Sequence, residues 1–258
     1  MPDAVFTAED GSFIASELAR GPWSPDAQHG GAPAALLMRA FEQLPGGEGL
    51  LLSRVTYELL RPVPIGRFEI RAEVARAGRR VQLLEASLWT DDGVEVVRAR
   101  ALRLQAADAE TKQEPSPPPP GPERGRPNDF RSGGVRMFAS DAMELRFVEG
   151  KFYEPGPSTA WFRLRVELVA GERPSPLQSL AAAGDFGNGI ASAVPWEGHA
   201  FINPDLTLYL ERQPVGEWIC LEAVTRVPRA GIGVAESVLY DERGRVGRAI
   251  QALLVTRR

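Results

Sequence analysis

Three polar residues sit where the surrounding sequence is otherwise apolar. Asp185 lies in Ala181-Ala182-Ala183-Gly184-Asp185-Phe186-Gly187-Asn188-Gly189-Ile190, a helical stretch made mostly of small or apolar groups. An unpaired carboxylate buried there costs several kcal/mol, so Asp185 must be paired, hydrated or at work. The glycines on either side let a ligand or a second backbone come close. On the plainer reading they break the helix and Asp185 caps its continuation. Gln251 is the odd polar residue of the β-like run Arg248 to Leu254 and needs a partner for its amide. Thr207 alternates with Leu206 and Leu208, so it faces the other way from them, and alone it is an ordinary strand residue. Together, a carboxylate, a hydroxyl and an amide can hold and activate a water. The aspartate accepts its proton, while the threonine and glutamine fix its position. That is a hydrolytic site with no metal and no cofactor, and a thioester suits it because thiolate leaves readily.

Other chemistries lack their residues. His29, His199 and Cys220 are the only histidines and cysteine, too few for a closed zinc site, and no Gly-x-Ser-x-Gly elbow occurs. Cys220, inside Trp218-Ile219-Cys220-Leu221, reads as a buried, inert thiol. A net charge of −4 argues against a nucleic-acid partner. No apolar run is long enough for a membrane span, and the N-terminus lacks the order of a secretory signal, so a cytoplasmic protein is expected. With 258 residues, 43% hydrophobic and 25% charged, the chain can bury a substantial core.

The elements that must position these residues come twice. His29-Gly30-Gly31 opens a helical pattern from Ala32 to Leu44, closed by Pro45-Gly46-Gly47. Strand-like runs follow at about 53–60, 68–76, 81–90 and 94–104, the last two joined through Asp91-Asp92-Gly93. In the second half Ser175-Pro176-Leu177-Gln178 starts a helix running to about Ala193. Strands are expected before it at 145–148 and 160–168, and after it at 205–211, 218–227, 233–240 and 246–256. Between the halves, seven prolines from Pro115 to Pro127 predict an extended polyproline linker over the surface. The predicted organisation is an N-terminal repeat over 1–105, a linker over 106–130 and a C-terminal repeat over 131–258.

Sliding the chain on itself by 151 residues, without a gap, places Thr56 on Thr207, Arg61 on Arg212, Glu85 on Glu236 and Gly93 on Gly244. At this offset Ala34 meets Asp185 and Arg100 meets Gln251, so only the second copy holds acid, hydroxyl and amide together. One helix and an antiparallel meander, present twice, predict an α+β fold of two tandem helix-wrapped sheets, joined so that each covers the other's exposed edge.

These residues resemble the TesB-like acyl-CoA thioesterases, the double-hotdog group of the thioesterase-like superfamily, over nearly the whole chain. The likeness rests on His29-Gly30-Gly31, Leu60-Arg61-Pro62 and Arg76-Ala77-Gly78-Arg79-Arg80 in the first half. In the second it rests on Gly184-Asp185-Phe186, Asp205-Leu206-Thr207 and Gln251. It implies hydrolysis of an acyl-CoA by a water held on Asp185, Thr207 and Gln251, with Asn203 able to stand in the threonine's place. It also implies that backbone amides at Gly30 and Gly31 face the thioester carbonyl. The family often has a serine where Gly184 stands and a histidine where Leu206 stands. A protein that binds acyl-CoA or an acyl carrier without cleaving it is the alternative, a hotdog hydratase ranks last, and a homo-oligomer is allowed.

Overall fold

The structure, a computed structural model, describes residues 3–112, 114–128, 130 and 133–257. The first half contains β1 (Ala4–Glu9), β2 (Ser12–Ala15), α1 (Gly31–Gln43), β3 (Leu50–Leu59), β4 (Arg67–Arg76), β5 (Val81–Thr90) and β6 (Glu95–Gln105). The second contains β7 (Arg126–Pro127), β8 (Met143–Glu149), β9 (Ser158–Leu164), β10 (Glu167–Val169), α2 (Pro176–Gly184), α3 (Gly187–Ile190), β11 (His199–Ile202), β12 (Asp205–Leu210), β13 (Ile219–Arg226), β14 (Ile232–Asp241) and β15 (Gly244–Arg257).

The strands form one sheet in the order β10-β1-β2-β4-β5-β6-β3-β12-β15-β14-β13-β9-β8-β7, with β11 added beside β15. Only Arg165 and Val166 separate β9 from β10, yet the two lie far apart in that order. The sheet therefore curls until its ends approach, and α1 and α2 fill the interior. The halves join where β3 pairs antiparallel with β12, with Thr56 directly opposite Thr207. A local two-fold axis passes there, relating one half to the other.

Ten residues of α1 are buried, from Gly31 to Phe41, as befits a helix apolar on most sides. Pro33 is tolerated because it falls in the first turn. Arg103 closes the other end, where its guanidinium donates to the carbonyls of Phe41 and Leu44. Ser175 caps α2, accepting the Gln178 N–H at 3.1 Å. A Cβ on Gly31 would collide with the Ala182 carbonyl, so the two helices cross at glycine. The single helix expected from Ser175 to Ala193 is instead broken at Asp185–Phe186 into α2 and α3.

The offset of 151 holds through β3–β5 and β12–β14 but fails at two places. It carries Gly31, the start of α1, onto Ala182, whereas α2 already begins at Pro176. In the last strand, Glu85 pairs with Arg100 but Glu236 pairs with Ile250, so the hairpin of the second half is one residue tighter. Register therefore makes Ala101 the counterpart of Gln251, and Arg100 that of Ile250. The proline-rich segment crosses the outer face of the second half, where Pro120 O accepts from Trp161 Nε1 at 2.7 Å and Ser116 O from Arg245 N at 2.9 Å. The expected boundary at Arg131 lies outside the described residues. No helix among the described residues is long and apolar enough to cross a membrane.

Candidate active site

Asp185 is the C-cap of α2, at the point where the helix breaks. The helix does break here, but Asp185 does not cap its continuation: Phe186 is the N-cap of α3, without a side-chain cap, and the break turns the Asp185 carboxylate inward instead of into solvent. Its Oδ1 accepts from Asn203 Nδ2 at 2.7 Å and from Gln251 Nε2 at 2.9 Å. Its Oδ2 lies 3.1 Å from His29 Nδ1, with only 6% of the aspartate side chain and 11% of the histidine exposed. Burial raises the Asp185 pKa from 3.8 to about 7, against the lowering effect of the Asn203, Gly31 and Gln251 hydrogen bonds. Burial also lowers His29 to about 3, so its imidazole is neutral.

The N-terminus of α1 meets this carboxylate from the other half of the molecule. A Cβ on Gly30 would stand 2.7 Å from Asp185 Oδ2, so only glycine lets the acid approach there. The Gly31 N–H donates to His29 Nδ1 at 3.0 Å and also supports Asp185. It is therefore engaged and does not face a substrate carbonyl, contrary to the expectation for this residue. The Gly30 N–H has no acceptor among the described residues, and Gly30 lines the adjoining cavity.

Thr207 is not brought to the site. Leu206 and Leu208 lie under α2, where a Cβ on Gly184 would meet both, and strand alternation turns Thr207 to the opposite face of the sheet. There its hydroxyl donates to Thr56 Oγ1 at 3.2 Å, on the local axis. Asn203, in the two-residue link Asn203-Pro204 between β11 and β12, occupies the place beside Asp185. Gln251 does reach the acid, from behind, and is 1% exposed. It donates to Asp185 and accepts weakly from Asn188 N at 3.4 Å, and Gly187 leaves it room.

Asp185, His29, Gly30, Asn188 and Asn203 border one cavity of about 490 Å³, otherwise lined mainly by aromatic and aliphatic side chains. Asn188 is a polar residue that the sequence reading passed over. Its Oδ1 is buried without a partner among the described residues, and its place between two glycines was the available signal.

This geometry unites one buried acid, two amides and a histidine at the seam of two duplicated halves. Models of acyl-CoA thioesterase domains match both of them: the N-terminal domain over residues 19–104 and the C-terminal domain over 112–255. The chain belongs to the acyl-CoA thioesterase family. Its hotdog architecture is shared with solved structures of low sequence identity. A hot dog fold protein of Alicyclobacillus acidocaldarius has a TM-score of 0.76 at 16% identity, over 98% of this chain and 96% of that one. Acyl-CoA thioesterase II TesB2 of Mycobacterium marinum has a TM-score of 0.65 at 15% identity, over 97% and 94%. The tesB protein of Mycobacterium avium subspecies paratuberculosis gives 0.65 at 15%, over 96% and 94%. Among curated proteins, none matches. In this chain Asn203 meets the acid and Thr207 does not.

Proposed function

We propose that this chain hydrolyses an acyl-CoA thioester to free acid and CoA, with Asp185 as general base toward water. One observation carries the reading: a carboxylate held by two amide donors, with its pKa raised to about 7, forms the inner wall of a largely apolar cavity. A base of that strength is suited to proton transfer at neutral pH.

His29 Nδ1 accepts from the Gly31 N–H only when it is unprotonated and donates to Asp185 Oδ2, 3.1 Å away, only when it is protonated, so the ionised acid goes with the proton on Nδ1. Asp185 takes a proton from water as the water oxygen bonds to the thioester carbonyl carbon. The carbonyl oxygen becomes an oxyanion, within a site where the Gly30 N–H is an available donor. Collapse of the tetrahedral adduct breaks the carbon–sulfur bond. The thiolate then leaves and takes the proton from Asp185, which restores the base. Asn203 and Gln251 hold the carboxylate in one orientation throughout, and the unpaired Asn188 Oδ1 offers a further acceptor for the water.

Release of free thiol from acyl-CoA by the purified chain tests this directly. Asp185→Asn is expected to keep the fold and lower turnover by roughly 100- to 10,000-fold, the usual weight of a general base. Tight binding of acyl-CoA with no thiol release by the unaltered chain would support the binding protein instead.

A further inference from the structure

The cavity at Asp185 is walled by rings contributed by separate segments. Trp23, from the loop before α1, stacks on Trp196 at 5.0 Å and 3°. Phe201 lies 5.7 Å from Trp196, Phe152 meets Trp196 edge-on at 6.4 Å, and Phe130 lies 5.3 Å from Phe152. At the inner end Phe186, next to the acid, stacks on His29 at 4.3 Å. Rings therefore border the cavity from the end at Asp185 to the rim at Trp23, a residue 44% exposed.

The duplication supplies an internal control. The axis through Thr56 and Thr207 relates this cavity to a smaller one of about 330 Å³, lined by Pro45, Leu50, Leu52 and Gln213 among others and by no aromatic residue. The offset of 151 sets Pro45 where Trp196 stands and Leu50 where Phe201 stands. Strand register agrees for the second pair, since Leu50 pairs with Gln105 and Phe201 with Val255. The fold thus closes the same corner without rings, and packing alone does not account for them.

We infer that the acyl group taken by this cavity carries a planar ring close to its thioester, as an arylacyl-CoA does. This inference rests on the thioesterase reading. Edge-to-face and offset-stacked contacts favour a ring over an alkyl group of equal size by about two- to tenfold each. Several such contacts are available here.

The test compares phenylacetyl-CoA with octanoyl-CoA, which have equal numbers of acyl carbons. The expected kcat/KM ratio favours the ring by about tenfold or more, and Trp196→Leu is expected to reduce that ratio several-fold by slowing phenylacetyl-CoA more. Equal or better turnover of octanoyl-CoA, or equal slowing of both substrates in Trp196→Leu, overturns the inference while leaving hydrolysis intact. If neither thiol is released, hydrolysis fails, and the same pair is compared by Kd from tryptophan fluorescence quenching. Tighter phenylacetyl-CoA then supports the ring-binding cavity, and equal or weaker binding overturns it.

Discussion

Asp185 and His29 carry opposite linkages between proton binding and stability. Asp185 ionises near pH 7 in the fold against an ordinary 3.8. Its native form thus holds the proton more tightly, and its contribution to stability, full below about pH 4, is lost as pH rises to 7. His29 has a folded pKa of about 3 against 6.5, so its contribution is full above about pH 6.5 and is lost as pH falls toward 3. Between those limits the two oppose each other, and near pH 8 only the cost of the ionised aspartate remains. Asp185→Asn is therefore expected to gain stability over the unaltered chain between pH 5 and pH 8, by roughly 2–4 kcal/mol, read from denaturant midpoints. A second comparison separates Asn203, which meets the acid, from Thr207, which does not. Asn203→Ala is expected to lower kcat/KM by about 10- to 100-fold, while Thr207→Ala, whose hydroxyl meets Thr56, stays within about twofold. Asp185 and Gln251 were legible because a carboxylate and an amide in apolar runs require partners. Asn203 was only half legible, because a residue in a short link between strands has no periodicity to mark its direction. Thr207 carried its own counter-argument, since alternation with Leu206 and Leu208 already turned it away from α2.

At the level of elements, the site depends on glycine where α1 meets α2. Gly30→Ala would press a methyl against Asp185 Oδ2, so turnover is expected to fall about tenfold or more while the thermal midpoint moves little. Gly31→Ala would push α1 off the Ala182 carbonyl and is expected to cost about 1–3 kcal/mol of stability, measured by denaturant unfolding. Most long strands were readable to within a few residues because they alternate apolar and polar side chains, and Val81–Thr90 falls on β5 as predicted, whereas the single strand expected at 160–168 is divided between β9 and β10. The N-terminal hairpin β1–β2 and the short β11 were not read. Their partners are distant in sequence or their runs are too brief for a pattern, and β1 gains a parallel neighbour only from β10. The helix break at Asp185 was open to view in Gly184 and Gly187. The one-residue tightening of the last hairpin was hidden, since its glycines, Gly93 and Gly244, coincide under the offset while the strand beyond shifts.

In the whole molecule, duplication lets one half supply Asp185 and the other the helix N-terminus that faces it. The halves share a continuous sheet through β3 and β12, so they are expected to unfold together in one calorimetric transition. A protease cut in the exposed residues 106–112 is expected to leave two fragments that co-elute and stay active. The two-fold repeat was legible from sequence, but which cavity received the rings was not, because Trp23, Phe130, Phe152 and Trp196 come from loops that only folding brings together. The most direct check of the central claim is the pH dependence of kcat/KM for acyl-CoA hydrolysis between pH 5 and 9. A rise of about tenfold per pH unit to a plateau, with a midpoint near 7, is expected for a raised carboxylate acting as base. In Asn203→Ala, loss of a donor to the carboxylate should move that midpoint upward. A profile flat across the range, or a midpoint unmoved in Asn203→Ala, would contradict the account.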